Sequence, residues 1–279
     1  MNNKNLLSLR EIQLEELKIL EKIAEFLEKN NLRYSLNGGT LLGAIRHKGF
    51  IPWDDDIDIA MPRPDYDKFI ELYSKQPIDD NLILCCPENK TEFLPFCKIK
   101  NKEIEAIDDN SKSEKKQNFL WIDIFPVDGI SISEKELKWK YRKMSFYTLL
   151  LYVHRNKLYF SKKGYFFKDI IKLILKPISL LVSAKTLIKF AAKMDYEKAK
   201  YIGKFVSGYG LKEALLKEDY EEYIKVEFEG RKFSVIKNYD KYLTNIFGDY
   251  MTLPPKNERI THHLEAWRVK EKESENNER

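Results

Sequence analysis

The sequence predicts an α+β fold, a mixed sheet with flanking helices that is interrupted by a basic helical insertion. Three observations lead there. Apolar residues recur at helical spacing near the start of the chain and again through its middle. Short strand-like runs, at 57–61 and 121–125 above all, stand between turn residues. Basic residues are concentrated: 131–205 holds 18 Lys and Arg against 5 Asp and Glu. That local +13 leaves −8 for the rest of a chain whose net charge is +5.

Taken in order, Ser8-Leu9-Arg10-Glu11 reads as a capping box ahead of Ile12, Leu17, Leu20, Ile23, Ala24 and Leu27. A helix is expected over about 9–29, stopping at Asn30-Asn31. A strand is expected at 32–36, then a Gly-Gly turn and a brief helix at 41–46. Pro64 suits the first turn of a helix carrying Tyr66, Phe69, Ile70 and Tyr73. Further strands are expected at 82–86, 93–99 and 121–125. Ser133-Glu134-Lys135-Glu136 caps a long helix, two more helical stretches fill 165–200, and 224–228 with 233–236 form a hairpin about Gly230. These elements divide the chain into a first core region at 1–130, the basic amphipathic helical insertion at 131–205, the remaining core elements at 206–269, and a polar tail at 270–279.

At 279 residues, with 11 Gly and 10 Pro, the chain is long enough for a sizeable core and is neither disordered nor collagen-like. Cys85, Cys86 and Cys97 make a poor disulfide framework, and the histidines lie elsewhere, against a structural zinc site. The first ten residues lack the apolar core of a signal peptide, so a reduced cytoplasmic setting is expected. The most apolar helical run, 166–182, is broken by Lys168, Asp169, Lys172 and Lys176 and is too charged to span a bilayer.

The most informative stretch is Trp53-Asp54-Asp55-Asp56-Ile57-Asp58-Ile59-Ala60. Alternation along a strand puts Asp56 and Asp58 on one side, about 7 Å apart. Two such carboxylates at the end of a core strand repel each other unless a cation holds them, and Mg²⁺ prefers a few carboxylates with phosphate oxygens and water. Asp123, a lone acid within Trp121-Ile122-Asp123-Ile124-Phe125, is a third member, as metal ligand or general base. Asp54 is a further candidate base. Gly38-Gly39-Thr40 lets backbone approach a ligand ahead of a helix N-terminus. Strand, Gly-Gly-Thr, short helix, Asp-x-Asp strand and later Asp strand is the order of a nucleotidyltransferase-like fold.

The run from Asn37 through Gly38-Gly39-Thr40-Leu41-Leu42-Gly43-Ala44-Ile45-Arg46-His47-Lys48-Gly49-Phe50-Ile51-Pro52-Trp53 to Asp58 resembles the signature of the LicD family of phosphocholine transferases. Pro62-Arg63, Asp65-Tyr66, Phe96-Cys97-Lys98 and Trp121–Pro126 extend the likeness, which covers about 17–129 and, more loosely, the hairpin to Pro255. The resemblance implies transfer of phosphocholine from CDP-choline to a sugar hydroxyl of a teichoic acid or lipopolysaccharide-type precursor, releasing CMP. The acceptor it implies is a polyprenyl-linked glycan at the inner face of the membrane. It implies that Asp56, Asp58 and Asp123 hold Mg²⁺, that Gly38, Gly39 and Thr40 contact donor phosphate, and that Arg46, Lys48, Arg63 and Lys98 neutralise the diphosphate. His47, and His262 and His263 beside Trp267, are weaker candidates. An aromatic cage is expected for choline, with Trp53, Trp121 and Phe125 near the motif.

Basic residues at four-residue spacing, Lys168, Lys172 and Lys176 and then Lys185, Lys189 and Lys193, lie beside apolar partners and suit peripheral membrane contact through 140–204. Other readings keep the fold. One transfers another phosphoalcohol such as ribitol phosphate. Another moves a nucleotidyl group to a small molecule or RNA, although no nucleic-acid partner is expected because the aromatics follow helix periods. The last is a non-catalytic membrane-peripheral module, against which the clustered acids count.

Overall fold

The computed structural model describes residues 6–92, 94–107, 118–155, 166–181, 183, 185–186, 189, 195–205, 209–259, 261 and 264–269. Helix α1 (Leu9–Lys29) has the expected capping box, with the Ser8 hydroxyl accepting from the Glu11 N–H and the Glu11 carboxylate accepting from the Ser8 N–H. Its inner face, from Ile12 through Leu20 to Leu27, is buried.

The strands follow as β1 (Ser35–Leu36), β2 (Asp58–Pro62), β3 (Leu82–Cys85), β4 (Cys97–Ile107) and β5 (Asn118–Ser131). Later in the chain come β6 (Tyr201–Gly203), β7 (Leu215–Leu216) and β10 (Glu265–Arg268). They form one mixed sheet in the order β1-β2-β5-β4-β10, with β3 on β4 and β6 joining β5 to β7. Among the described strands, only β2 and β5 run parallel, Asp58 opposite Asp123 and Ile59 opposite Ile124. The hairpin β8 (Tyr223–Phe228) and β9 (Arg231–Ile236) forms as expected about Gly230, whose φ is +74°.

The remaining helices are α2 (Gly38–His47), α3 (Arg63–Lys75), α4 (Glu134–Arg155), α5 (Phe166–Ser179) and α6 (Tyr239–Phe247). The main core lies between the sheet, α1, α3 and the hairpin. Helix α4 builds a second apolar cluster, in which Leu137, Tyr141, Met144 and Leu151 pack with Ile130 and Phe205.

Several expectations change. Helix α2 starts at Gly38 rather than residue 41, so both glycines belong to its first turn. The strand expected at 32–36 shrinks to Ser35–Leu36. The ladder of β2 begins at Asp58, which leaves Asp54–Ile57 as the segment leading into the strand. Strand β4 starts at Cys97, and residues 195–200 form turns where helix was expected. Among the described residues, no helix is long and apolar enough to cross a membrane.

Candidate active site

Three elements meet at the N-terminal end of β2. The Asn37 N–H donates to the Asp58 carbonyl at 3.0 Å, and the Thr40 hydroxyl accepts from the Asp58 N–H at 2.9 Å. The Asp123 N–H donates to the Ile57 carbonyl at 2.9 Å. The start of α2 and the middle of β5 thereby fix the backbone that carries Asp58. Asp123 is its register partner on the neighbouring parallel strand.

The two glycines have a reason beyond backbone freedom. Gly38 has φ +54°, a conformation side chains disfavour. A Cβ on Gly38 would lie 3.4 Å from Asp58 Oδ2, and one on Gly39 only 2.7 Å from Asp54 Oδ2. At Gly39 the Asp54 carboxylate takes the space a side chain would need, while at Gly38 the Asp58 carboxylate lies in ordinary contact.

Helix α1 supplies an acid that the motif gives no hint of. Glu16 is 1% exposed, and its Oε2 has no hydrogen-bond partner. One turn earlier, the Gln13 amide donates to the Asp54 carbonyl at 2.8 Å, fastening α1 to the acidic segment. Burial, then the charges of Asp56, Asp55, Asp54 and Asp123, raise the Glu16 carboxyl well above the ordinary range. A heptad-like α1 leaves Glu16 looking like one more surface acid in sequence; only its burial distinguishes it.

Burial also raises Asp58 well above the usual carboxylate range. Asp56 and Asp123 add to the effect, while Lys204 and Lys98 oppose it. Asp123 is raised by burial and pulled back by Lys98, whose Nζ lies 2.5 Å from Asp123 Oδ1. Lys98 also sits over Trp121, 4.5 Å from the ring centroid. Asp55 has a different task, since its Oδ2 accepts from the Leu264 N–H at 3.0 Å and ties down the approach to β10.

Lys204, just past β6, is a second cation that sequence reasoning missed. Its Nζ lies 4.5 Å from the Phe125 ring centroid and 3.1 Å from Glu213 Oε1, an ion pair without hydrogen-bond alignment. With the Asn37 amide turned so that its oxygen faces Lys204 and the Gly38 N–H, its nitrogen meets the Tyr242 hydroxyl. A chain of polar contacts thus runs from Lys204 to the first residue of α2.

Other expected residues stand elsewhere. The buried Arg63 forms a two-pronged pair with buried Asp128, Nε to Oδ1 at 2.6 Å and Nη2 to Oδ2 at 3.1 Å. Its guanidinium is committed within the fold. Lys48 is exposed at the opposite end of α2 from Gly38, about 15 Å along the axis, with φ 60°. Near that end, Arg46 donates to His47 Nε2 and to the Tyr250 carbonyl at 3.0 and 2.7 Å. Arg259 stacks 5.1 Å from the Trp53 ring centroid. Burial and then the charge of Arg259 lower the Arg46 pKa, while burial and then Arg46 lower that of His47. Trp53, Trp121 and Phe125 each carry one of the protein's own cations on a ring face, which leaves less ring surface for a choline headgroup than expected. His262 and His263 lie outside the described residues.

The donor set suits a hard divalent cation, since half-buried neighbouring carboxylates raise one another's proton affinity and a cation relieves that cost. It is not a preassembled cage of three. Among the described residues, the group whose three possible ligand atoms lie within 4.8 Å of one another is Cys86, Glu88 and Cys97, at the β3–β4 connection.

Acids at a strand end with two largely buried lysines beside them form a centre suited to chemistry on phosphate esters. The family described as LicD/FKTN/FKRP, nucleotidyltransferase domain, matches residues 31–181, running past Gly129 into α4 and α5. The lipopolysaccharide cholinephosphotransferase LicD of Haemophilus influenzae is 35% identical over 270 residues, covering 93% of this chain and 97% of that protein. An uncharacterized protein of Rickettsia typhi is 30% identical over 159 residues, 51% of this chain and 50% of that one. The mouse ribitol 5-phosphate transferase FKRP is 54% identical over 35 residues, 12% of this chain and 7% of that one. The chain belongs to the LicD/FKTN/FKRP family, and its reading as a transferase enzyme rests on that membership.

Proposed function

We propose that this protein transfers phosphocholine from CDP-choline to a sugar hydroxyl of a cell-surface glycan precursor, releasing CMP. The observation that carries the reading is the juxtaposition of Asp58 and Asp123 on parallel strands, with Asp54 and Asp58 lodged against Gly38 and Gly39. The full-length similarity to a lipopolysaccharide cholinephosphotransferase supports the choice of phosphoalcohol and acceptor class. The short match to a ribitol 5-phosphate transferase keeps CDP-ribitol as the second donor to test.

In this reading Asp56 and Asp58 hold Mg²⁺, which when bound neutralises the donor diphosphate and the departing CMP. Asp123 takes the proton of the acceptor hydroxyl as the new O–P bond forms and the bond to CMP breaks. Its raised proton affinity suits it to that task. Lys98 and Lys204 supply positive charge beside the acids, and Lys98 exchanges its hold on Asp123 for a donor phosphate oxygen. The quaternary ammonium of choline rests on Tyr209, which packs edge-on to Phe247 at 5.3 Å between centroids. Glu213, Asp58, Asp54 and Asp56 all contribute to the field at the Tyr209 hydroxyl, which burial and these charges push up to about 12.

The test is CMP release from CDP-choline, CDP-ribitol and CDP-glycerol in the presence of a glycan acceptor, with and without Mg²⁺. CDP-choline is expected to be the preferred donor, and Asp58→Asn to abolish release while leaving the chain folded. Release from CTP of diphosphate rather than CMP would replace this reading with nucleotidyl transfer.

A further inference from the structure

The insertion helices leave an unusual amount of apolar surface in water. Helix α4 buries Leu137, Tyr141 and Met144, while its other side carries Trp139, Phe146 and Leu149 at spacings of seven and three. Trp139 is 59% exposed, with exposed Arg142 one turn on; Lys138 is also exposed and pairs with Glu134 at 2.7 Å. Helix α5 turns Leu175 toward the α4 cluster and Ile174 away from it, at 60% exposure. Leu180 and Leu181 follow the helix end, Leu181 at 83%.

One expected basic position changes sides. The Lys176 Nζ donates to the carbonyls of Val153 and His154, both at 2.8 Å, so it holds α5 against the C-terminal part of α4 instead of facing solvent. The side chains of Lys168 and Lys172 lie outside the described residues, as does Lys193. Lys185 and Lys189 are exposed. Clustered aliphatic and aromatic exposure of this kind marks an interaction surface. No described helix can cross a bilayer, so a surface-lying mode is the one these helices can support.

We propose that the outer faces of α4 and α5 dock the protein on an anionic phospholipid bilayer, with Trp139, Phe146, Ile174 and Leu181 entering the headgroup region. Charge selects the occupant. Residues 131–205 carry +13 and the remainder −8, so an anionic leaflet attracts this part of the chain and repels the rest; Lys176 and Lys204 are turned inward, and Lys135, Lys138, Arg142, Lys185 and Lys189 are among its exposed cations. A second copy of the chain would set +13 against +13. A lipid-linked glycan acceptor would be met at the same bilayer; that consequence rests on the proposed transfer, but the lipid binding does not.

The experiment is co-sedimentation of the full chain with phosphatidylcholine vesicles and with vesicles containing 30% phosphatidylglycerol. Two variants accompany it, Lys138→Gln/Arg142→Gln and Ile174→Ser/Leu181→Ser. At about fivefold per basic residue near the surface, the charge variant should bind anionic vesicles about 25-fold more weakly. The apolar variant should lose about tenfold or more. Because all four positions are exposed, circular dichroism and melting temperature should match the unaltered chain. Absence of binding to anionic vesicles, or binding by both variants equal to that of the unaltered chain, overturns the proposal. So does a dimer that Ile174→Ser/Leu181→Ser converts to monomer without any vesicle binding. Vesicle binding without CMP release from any CDP-alcohol would uphold the lipid surface and sink the transfer reading.

Discussion

Arg63 offers a sharp test because family resemblance and structure give it different work. The resemblance implies that it neutralises donor diphosphate, whereas the structure gives its guanidinium two bonds to Asp128, with side-chain exposures of 10% and 3%. Burial pulls the Arg63 pKa down, but the Asp128 charge and hydrogen bonds more than reverse that and raise it. The additional pair to Asp67 at 3.3 Å involves a carboxylate 61% exposed and contributes little. Arg63→Ala would strand Asp128 in the interior without its partner, which costs about 3–5 kcal/mol. For 279 residues the unfolding entropy at the midpoint is about 0.6 kcal/mol/K, so the melting temperature should fall by about 5–9 °C. Arg63→Met with Asp128→Leu should recover most of the loss, because a well-packed apolar pair can replace a buried ion pair. Thermal melting measures stability, and KM for the CDP donor measures recognition. An unchanged melting temperature with a KM raised about tenfold would refute the structural assignment and return Arg63 to the donor site.

Three further predictions concern the acidic centre. Glu16 and Asp58 both have proton affinities raised by folding, so their contribution to stability is present below the usual carboxylate pKa and is lost as pH rises through the raised values. Glu16→Gln should therefore raise the metal-free melting temperature at pH 7.5 by about 2–5 °C and change it little near pH 4; an equal or lower value at pH 7.5 would contradict the burial argument. Asp123→Asn should slow CMP release by about 100- to 10,000-fold with CDP-choline still bound, read by single-turnover kinetics and ligand-induced thermal shift, and a smaller fall would remove it as the base. Tyr209→Leu should raise KM about 5- to 30-fold for CDP-choline but leave CDP-ribitol unaffected, and an equal change for both donors would take the ammonium elsewhere.

Much of the architecture was legible because its causes are local. The capping box and apolar spacing placed α1 at its observed limits, and Gly230 announced the β8–β9 hairpin. The Asp-rich run and Asp123 stood out because ionisable residues inside apolar strands demand a partner. Where the reading shifted, the cause was pairing at a distance. Whether Asp56 belongs to β2 depends on where the ladder with β1 and β5 begins, and that is fixed at Asp58.

Residue type and short-range spacing were enough for α1, α3, the start of α4, the β8–β9 hairpin, the acidic motif and the charge asymmetry. Tertiary structure decided which charges meet. It set Asp58 beside Asp123, placed the buried Glu16 of α1 in the field of the aspartates, brought Lys204 from the end of the insertion to the start of α2, and gave Arg63 to Asp128. It also set two carboxylates against the Gly38–Gly39 turn. The reason is physical: periodicity specifies which face of an element is apolar, whereas the partner of a buried charge is set by sheet register and helix placement between segments far apart in the chain.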